Sequence, residues 1–196
     1  MPDDLHAALL DAAGRLIASE GLEALTVRRI AAEAGSSTMG VYSRFGGKEG
    51  VVDALLCEGF EALAAHMADP DETDDPVADL LACSARYRSF ALANPTRYQV
   101  MFQTSYPIEP SSRSMTMAAA SFEQLCERVQ RCVDAGAIGG YAAHEIAASM
   151  WATCHGLVSL ELIGKRPPAV GEDEPYERTL RALLRGFRAG EWQTSR

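Results

Sequence analysis

Residues 24–49 read ALTVRRIAAEAGSSTMGVYSRFGGKE. In this stretch two short amphipathic segments stand on either side of Gly35. Thr26 precedes the first segment, and its hydroxyl is suited to cap the N-terminus of a helix. The second segment places Val41 and Phe45 four residues apart, on one helical face. Two short helices joined by a tight glycine turn are the plan of a helix-turn-helix, so the stretch predicts such a module.

Helical periodicity continues on both sides of this module. Apolar residues recur every three or four positions over Leu5–Glu20, and a longer helix is expected from Lys48 to Met67. The acidic stretch 69–76, which contains two prolines, is the clearest internal linker. Five more helices are expected, over Val77–Ala93, Thr96–Gln103, about Ser114–Ala135, Tyr141–Ile163 and Pro175–Ala189. Since no alternating strand pattern or internal repeat is present, the sequence predicts an all-α fold.

Composition narrows the class of protein. The chain has 196 residues, of which 47% are hydrophobic and 23% charged, as in an ordinary globular protein. No window reaches the roughly 18 apolar residues of a membrane span. The acidic start Met1-Pro2-Asp3-Asp4 differs from a signal peptide, and the five cysteines form no Cys-x-x-Cys pair. We therefore expect a cytoplasmic protein with reduced thiols, no membrane association and no disulfide framework.

Charge is distributed unevenly along the chain. The net charge is −9, from 18 basic and 27 acidic residues. Residues 24–48 contain four basic residues and one acid, Glu33, so this segment carries +3 and the remainder −12. Affinity for DNA depends on neutralising phosphates. An acidic body with a small basic module therefore predicts docking on double-stranded DNA through that module alone.

The second helix of a helix-turn-helix enters the major groove with its N-terminus first. Arg28 and Arg29 point away from the buried stripe of the first helix, so at least one is expected to reach a phosphate or a base edge. The glycine at position 40 would let the backbone approach the duplex closely. The residues expected to face bases are Ser37, Thr38, Met39, Gly40 and Ser43. Phosphate contacts are expected from Thr26, Tyr42 and Lys48. The alternative is a three-helix packing corner with a solvated basic face.

A resemblance adds weight to the DNA-binding interpretation. It is carried by Leu25-Thr26-Val27, Ala31, Ala34-Gly35, Ser37, Val41-Tyr42, Phe45 and Lys48-Glu49. This pattern resembles the TetR-type transcriptional repressors, whose DNA-binding module ends in an aromatic residue, a two-residue turn and Lys-Glu. The resemblance implies an all-α homodimer with three helices for DNA in residues 1–47 and about six for effector binding and dimerisation in 48–196. It also implies phosphate contacts from Thr26, Ser37, Tyr42 and Lys48. The chain departs from the pattern at Ser36, usually apolar, and at Ser43-Arg44, where a pair such as His-Tyr is common.

A second resemblance lies further along the chain. Residues 93–98, with Met101-Phe102, and residues 151–157 look like a TetR subgroup that has a Trp…His-Gly signature in its regulatory domain. In that subgroup the helix that bears the tryptophan is expected near both the effector pocket and the dimer interface.

Aromatic and methionine side chains among the later helices suit a pocket for an apolar or aromatic effector, with tyrosine and histidine as polar groups. The alternative is that many of them form the core. The candidates are Phe60, Leu63, Met67, Tyr87, Phe90, Met101, Phe102, Phe122, Trp151 and His155. A homodimer is expected because paired half-sites read more bases than one helix does. Its candidate interface residues are Ala147, Ala148, Ala152, Tyr176, Leu180, Leu183, Leu184 and Phe187.

Other chemistry is weakly indicated. His144 and His155 with Cys126, Cys132 and Cys154 lack the spacing of a metal site, and the same cysteines are poor candidates for an oxidant sensor. Catalysis by His155 with Cys154 or Glu161 lacks a third partner. The sequence therefore predicts a ligand-responsive transcriptional repressor, with no catalytic residue, metal or cofactor, that a small apolar or aromatic effector releases from a pseudo-palindromic operator. The alternative is a helical-bundle enzyme or metal carrier with a vestigial N-terminal module.

Overall fold

A computed structural model describes residues 2–68, 72–102, 110–165 and 174–187. These residues form nine α-helices and a short 3-10 helix, Leu22–Ala24, and contain no β-strand. The helices are α1 (Pro2–Glu20), α2 (Val27–Glu33), α3 (Thr38–Phe45), α4 (Lys48–Met67), α5 (Pro76–Ala93), α6 (Pro95–Phe102), α7 (Ser112–Asp134), α8 (Ala143–Leu162) and α9 (Glu174–Gly186). The predicted all-α fold, with three helices followed by six, is confirmed.

Local capping explains where several helices begin. The Asp75 carboxylate accepts hydrogen bonds from the backbone N–H groups of Val77 (3.1 Å) and Ala78 (3.0 Å), which starts α5. Glu145 accepts from the N–H of Ala142 at 2.9 Å, so α8 starts two residues later than its periodicity predicts. The predicted helix ends at Gln103 and Ala189 lie outside the described residues.

A two-glycine turn separates α3 from α4, as predicted. Gly46 has a φ of 73° and Gly47 a φ of 150°, and residues other than glycine rarely adopt such positive values. The N–H of Gly46 donates to the carbonyl oxygen of Tyr42 at 2.9 Å, which closes the last turn of α3. The turn therefore ends the second helix of the module and starts the long α4.

The described residues group into two compact units, of which the first comprises Met1–Ala62 and Asn94–Ala118. Its core draws on α1, α2, α3, α4 and α6, with α1 in contact with α2, α3 and α6. Leu9, Leu25, Ile30, Val41 and Val51 are fully buried there. The helix-turn-helix therefore rests on α1 as its supporting helix.

The second unit comprises Leu63–Ala93 and Ala119–Arg196. In this unit α5, α8 and α9 contact one another. Leu80, Ile146, Met150 and Val158 are fully buried among them. The second unit is thus a helical bundle with its own apolar core.

These compact units do not coincide with the predicted domain boundary after residue 47. The first turns of α4 and the whole of α6 belong to the first unit, because Val51, Val52 and Val100 complete the core around α1. The division of function between residues 1–47 and 48–196 remains a prediction.

Candidate DNA-binding surface and regulatory unit

Hydroxyl caps start both helices of the helix-turn-helix. Thr26 Oγ1 accepts from the N–H of Arg29 at 3.3 Å, as its position before α2 predicts. Ser37 Oγ accepts from the N–H of Gly40 at 3.2 Å and starts α3. Between them the N–H of Ser36 donates to the carbonyl oxygen of Ala31 at 2.8 Å, which closes the turn. The module is therefore built by local contacts that the sequence encodes.

The exposed face of α3 contains most of the residues predicted to contact DNA. Met39 is 70% exposed and Tyr42 is 54% exposed, whereas Val41 is fully buried against the module core. Ser37, Thr38 and Ser43 are also exposed. Helical geometry thus divides α3 into an inner apolar side and an outer side that is accessible to a ligand as large as DNA.

Gly40 faces the inside of the module. A Cβ atom at this position would lie 2.6 Å from Ser36 Oγ and 3.7 Å from Leu5 Cδ2. The side on which a Cβ would stand is therefore occupied by α1 and by Ser36. The absence of a side chain at Gly40 therefore makes room for protein atoms, and the close approach of its backbone to the duplex stays a prediction.

Some charged side chains of the module are engaged in ion pairs within the protein. The Arg29 guanidinium pairs with both carboxylate oxygens of Glu20 and donates to the carbonyl oxygen of Ala24 at 3.3 Å. Hydrogen bonding to Arg29 lowers the pKa of Glu20, and the same contact raises the pKa of Arg29. Arg15 Nε donates to Glu33 at 2.8 Å. Arg29, one of the two arginines predicted to reach DNA, therefore joins α2 to the end of α1.

Other cations remain on the surface of the module. Arg28 and Arg44 are exposed, and neither has an ion-pair partner within the described residues. Lys48, at the first position of α4, is half-buried, and Thr26 is exposed. The predicted phosphate contacts and these two arginines thus lie at the surface of the unit, where Glu20 and Glu33 are paired with other arginines.

In the second unit, four predicted pocket residues lie close together. Tyr87 Oη is 3.3 Å from His155 Nδ1. The Trp151 ring centroid lies 5.6 Å from that of His155 and 6.4 Å from that of Phe122. Burial lowers the pKa of His155, which favours the neutral imidazole at neutral pH. The cluster combines aromatic faces with neutral hydrogen-bonding groups.

The other predicted pocket residues are divided between the units. Leu63, Met67 and Phe90 are buried in the second unit. In the first unit Phe60 packs edge to face on Phe102, with centroids 5.8 Å apart. Met101 is also buried in the first unit. Because the candidates belong to two units, a single pocket that contains them all stays a prediction.

Two grooves open on the second unit, and none of the predicted pocket residues lines either of them in the described ranges. The first, of about 530 Å³, is lined by Val77, Gly136, Ala137, Ile138, Arg181, Leu184 and Arg185. The second, of about 570 Å³, is formed by α7, the start of α8 and the connection before it, and its lining includes Glu123, Cys126, Glu127, Tyr141 and His144. Periodicity does not reveal them, because both include residues of the connection between α7 and α8.

Half of the predicted dimer-interface residues lie inside the protomer. They are Ala147, Tyr176, Leu180 and Leu184, all buried. The apolar side of α9 packs on α5 and α8 of its own chain, and the Tyr176 hydroxyl donates to the carbonyl oxygen of Ser84 at 2.8 Å. The prediction for these four was wrong, because periodicity identifies an apolar stripe and not the surface that covers it. Ala148 and Ala152 are exposed, and Leu183 and Phe187 are half-buried.

Two further polar contacts were not predicted from the sequence. In the first unit Asp53 accepts hydrogen bonds from Ser111 and Ser114. In the second unit Arg88 makes two hydrogen bonds to Glu161, at 2.9 and 2.7 Å, and both side chains are largely buried. The sequence does place an acid, Asp53, within the apolar run of residues 51–56, and this unusual position could have indicated the first contact.

The structure offers no support for a metal centre within the described residues, where no three His, Cys, Asp or Glu side chains are grouped to hold an ion. All five cysteines are buried, and burial raises the pKa of Cys132 to about 11. A thiol with such a pKa is a poor nucleophile.

Among the described helices none is long and apolar enough to cross a lipid bilayer.

Two family models match this chain. Residues 9–55 match "Bacterial regulatory proteins, tetR family", and residues 80–185 match "Tetracyclin repressor-like, C-terminal domain". The first match covers α2 and α3, and the second covers most of the helices in the second unit. A comparison with curated proteins finds no match.

Solved structures share the fold over nearly the whole chain. A protein of unknown function from Rhodococcus sp. RHA1 is 28% identical, with a TM-score of 0.82 over 93% of this chain and 95% of that one. PfmR, a TetR family transcriptional regulator from Thermus thermophilus, is 21% identical, with a TM-score of 0.70 over 90% and 97%. A regulatory protein in the tetR family from Rhodococcus RHA1 is 19% identical, with a TM-score of 0.74 over 94% and 97%.

The family matches agree with the geometry of the module. They cover a capped helix-turn-helix supported by α1 and a helical regulatory region. Proteins of this kind are dimeric transcription factors that bind operator DNA and are not enzymes. The chain belongs to the TetR family of transcriptional regulators.

Proposed function

We propose that this regulator is a repressor that leaves a pseudo-palindromic operator when a small apolar or aromatic effector binds. The observation that carries the proposal is the outer side of α3, where exposed side chains stand on a capped helix beside the exposed Arg28 and Arg44. We place the DNA-binding function in residues 1–47 and the effector and dimer functions in residues 48–196. Because operator DNA lies in the bacterial cytoplasm, the protein acts there.

The contacts with DNA are of two kinds. Thr26, Ser37, Tyr42 and Lys48 with Arg28 contact phosphates, which positions α3 in the major groove. Thr38 and Met39 face base edges, and Ser43 lies one turn further along the same helix. Gly40 and Arg29 contribute through the packing of the module rather than through a side-chain contact with bases.

Substitutions in these two groups test the docking. Tyr42→Phe and Lys48→Ala should weaken binding about equally for all sequences. Substitution of Thr38 should change the preferred base, since a mismatch costs about 1–3 kcal/mol. The measurement is fluorescence anisotropy with fragments selected from genomic DNA. Unchanged affinity and unchanged salt dependence in Lys48→Ala would show that α3 does not dock in this way.

The homodimer is supported by an open stripe on α8. Ala148 and Ala152 are exposed at a spacing of four, and a Cβ at Gly156 would meet no atom within 4 Å. Leu160 on the same helix and Ile163, its C-cap residue, continue the exposed apolar surface. Small residues at this spacing allow two helices to approach closely. We therefore assign the stripe, with Leu183 of α9 and Phe187 directly after α9, to an isologous interface.

Oligomeric state tests this interface. Ala152→Arg should give monomers in light scattering at micromolar concentration and should abolish tight operator binding, because paired half-sites are then read separately. Ala82→Arg, an exposed alanine on α5, is the matched control and should remain dimeric. A monomeric wild-type protein would contradict the assignment.

The effector is assigned to the aromatic residues of the regulatory region, with Tyr87 and His155 as hydrogen-bonding groups. The proximity of Trp151 to His155, with the open position at Gly156, supports membership of the subgroup with the Trp…His-Gly signature. We propose that the effector favours a tilt of α4, which carries Lys48 at one end and Leu63 and Met67 at the other.

Linkage makes this switch testable. Operator DNA must weaken effector binding by the factor by which the effector weakens operator binding, typically 5–150-fold. Calorimetric titration of an identified effector, with and without operator, measures that factor. Equal affinities in the two titrations would refute the switch and leave the DNA-binding function intact.

A further inference from the structure

The first turn of α3 presents an unusual reading surface to DNA. Met39 is 70% exposed, more than any other large hydrophobic side chain in the part of the chain that the structure describes. Thr38 precedes it and is also exposed. An exposed methionine makes few contacts in the free protein, so its side chain is available to pack on a partner.

Hydrogen-bonded readout of bases is poorly provided here. Bidentate recognition of guanine or adenine uses Arg, Lys, Asn or Gln, and cytosine is read by Asp or Glu. None of these residue types occurs between Ser36 and Ser43. Two of the hydroxyls are hydrogen-bonded to the backbone of Gly40 in α3. Ser37 Oγ accepts from the Gly40 N–H, and Ser43 Oγ donates to the Gly40 carbonyl oxygen, both at 3.2 Å. Besides the Thr38 hydroxyl, which accepts or donates and so distinguishes base pairs weakly, apolar contact by Met39 remains as a means of discrimination.

We propose that Met39 reads the C5 methyl group of a thymine in each operator half-site. This proposal rests on the proposed function, in which α3 lies in the major groove. The thymine methyl is the one apolar group that base pairs display there. Packing it on Met39 removes apolar surface of both partners from water. At a G·C pair, Met39 would instead displace water from a polar base edge. The base edge would then lose its hydrogen bonds to water, and the methionine side chain offers none in return.

The experiment removes the methyl group and nothing else. Operators are first selected from random DNA by the full-length protein, and each thymine is then replaced in turn by uracil. For wild-type protein we expect one thymine per half-site at which the replacement weakens binding about fourfold, the factor for one buried methylene-sized group. Replacement in both half-sites should weaken binding about fifteenfold, since the two contacts are independent.

Protein variants assign the effect to a residue. Met39→Ala should bind the thymine and uracil operators equally, and Met39→Leu should retain a preference for thymine. Met115→Ala is the matched control, because Met115 is 61% exposed on α7 and should leave the thymine-to-uracil ratio unchanged. Thermal unfolding checks that each variant is folded.

The outcomes separate the proposal from the function on which it rests. Specific binding with no uracil-sensitive position, or with a G·C pair opposite the first turn of α3, overturns the proposal while the DNA-binding function stands. A uracil effect that persists in Met39→Ala assigns the methyl contact elsewhere and also overturns it. Failure to select any DNA sequence overturns the proposed function itself.

Discussion

At the scale of single residues, Asp53 shows how an acid is held in a mostly apolar helix. The backbone N–H and hydroxyl of Ser111 donate to it at 3.0 and 2.8 Å, and the Ser114 hydroxyl donates at 2.7 Å. Burial acts to raise the pKa of Asp53, but the hydrogen bonds from Ser114 and Ser111 outweigh burial and lower it. The ionised carboxylate therefore stabilises the contact between α4 and the start of α7.

Asp53→Asn should lower the free energy of unfolding by about 1–3 kcal/mol at neutral pH. A carboxyl whose pKa is lowered in the folded state stabilises it above the unfolded pKa of about 3.9, and this contribution is lost as the pH falls through the folded pKa. Urea unfolding at a series of pH values should therefore show the difference from wild type shrinking in acid. The exposed Asp11→Asn is the control, and a difference that does not depend on pH would contradict the account.

His155 has a linkage of the same sign, although its pKa is lowered by burial and not by hydrogen bonds. Its pKa is lowered by burial, so below the unfolded pKa of about 6.5 the unfolded chain binds a proton more readily than the folded one. The free energy of unfolding should therefore rise with pH over the range just below the unfolded pKa of about 6.5. His155→Gln should flatten this rise in thermal unfolding curves, whereas His144→Gln, at an exposed position, should not. The same slope in wild type and His155→Gln would refute the assignment.

At the scale of elements, α9 shows two different sides. Leu184 is 5% exposed and faces the bundle of its own chain, while the neighbouring Leu183 is half-buried. Leu184→Ala should therefore destabilise the protein by about 2–5 kcal/mol, the cost of a cavity in a core. Leu183→Ala should cost less stability and should instead weaken dimerisation. Chemical unfolding and analytical ultracentrifugation separate the two effects, and an equal loss of stability in both variants would contradict this division.

At the scale of the whole molecule, the distribution of charge limits where DNA can bind. The net charge of −9 opposes binding except where exposed cations meet phosphates. Arg28→Ala and Arg44→Ala should each lower the slope of log affinity against log salt by about 0.9 for every phosphate that the variant no longer neutralises, and each site occurs twice in a dimer. Arg15→Ala should leave the slope nearly unchanged, because Arg15 is paired with Glu33. A salt titration in which Arg15→Ala matches Arg28→Ala would refute the assignment.

Local signals account for the parts of the fold that were predicted. Hydroxyl caps at Thr26 and Ser37, the Gly46-Gly47 turn and the apolar period of each helix are properties of neighbouring residues. The sequence by itself therefore determined the helix-turn-helix and the other helices in the described ranges. The residues that point away from the buried stripe of α3 follow from the same periodicity. The chemistry of the exposed side of α3 was therefore predictable, while its contacts with DNA stay a prediction.

Only the tertiary structure decided which partner each side chain meets. The stripe of α9 could face its own chain or another, and burial of Leu180 and Leu184 settles that it faces its own. Arg29 could reach DNA or protein, and Glu20 engages it. Gly40 makes room for Ser36, and the Asp53 contact with Ser114 joins residues far apart in sequence. Periodicity gives the direction of a side chain about its helix axis, but long-range packing determines what lies in that direction.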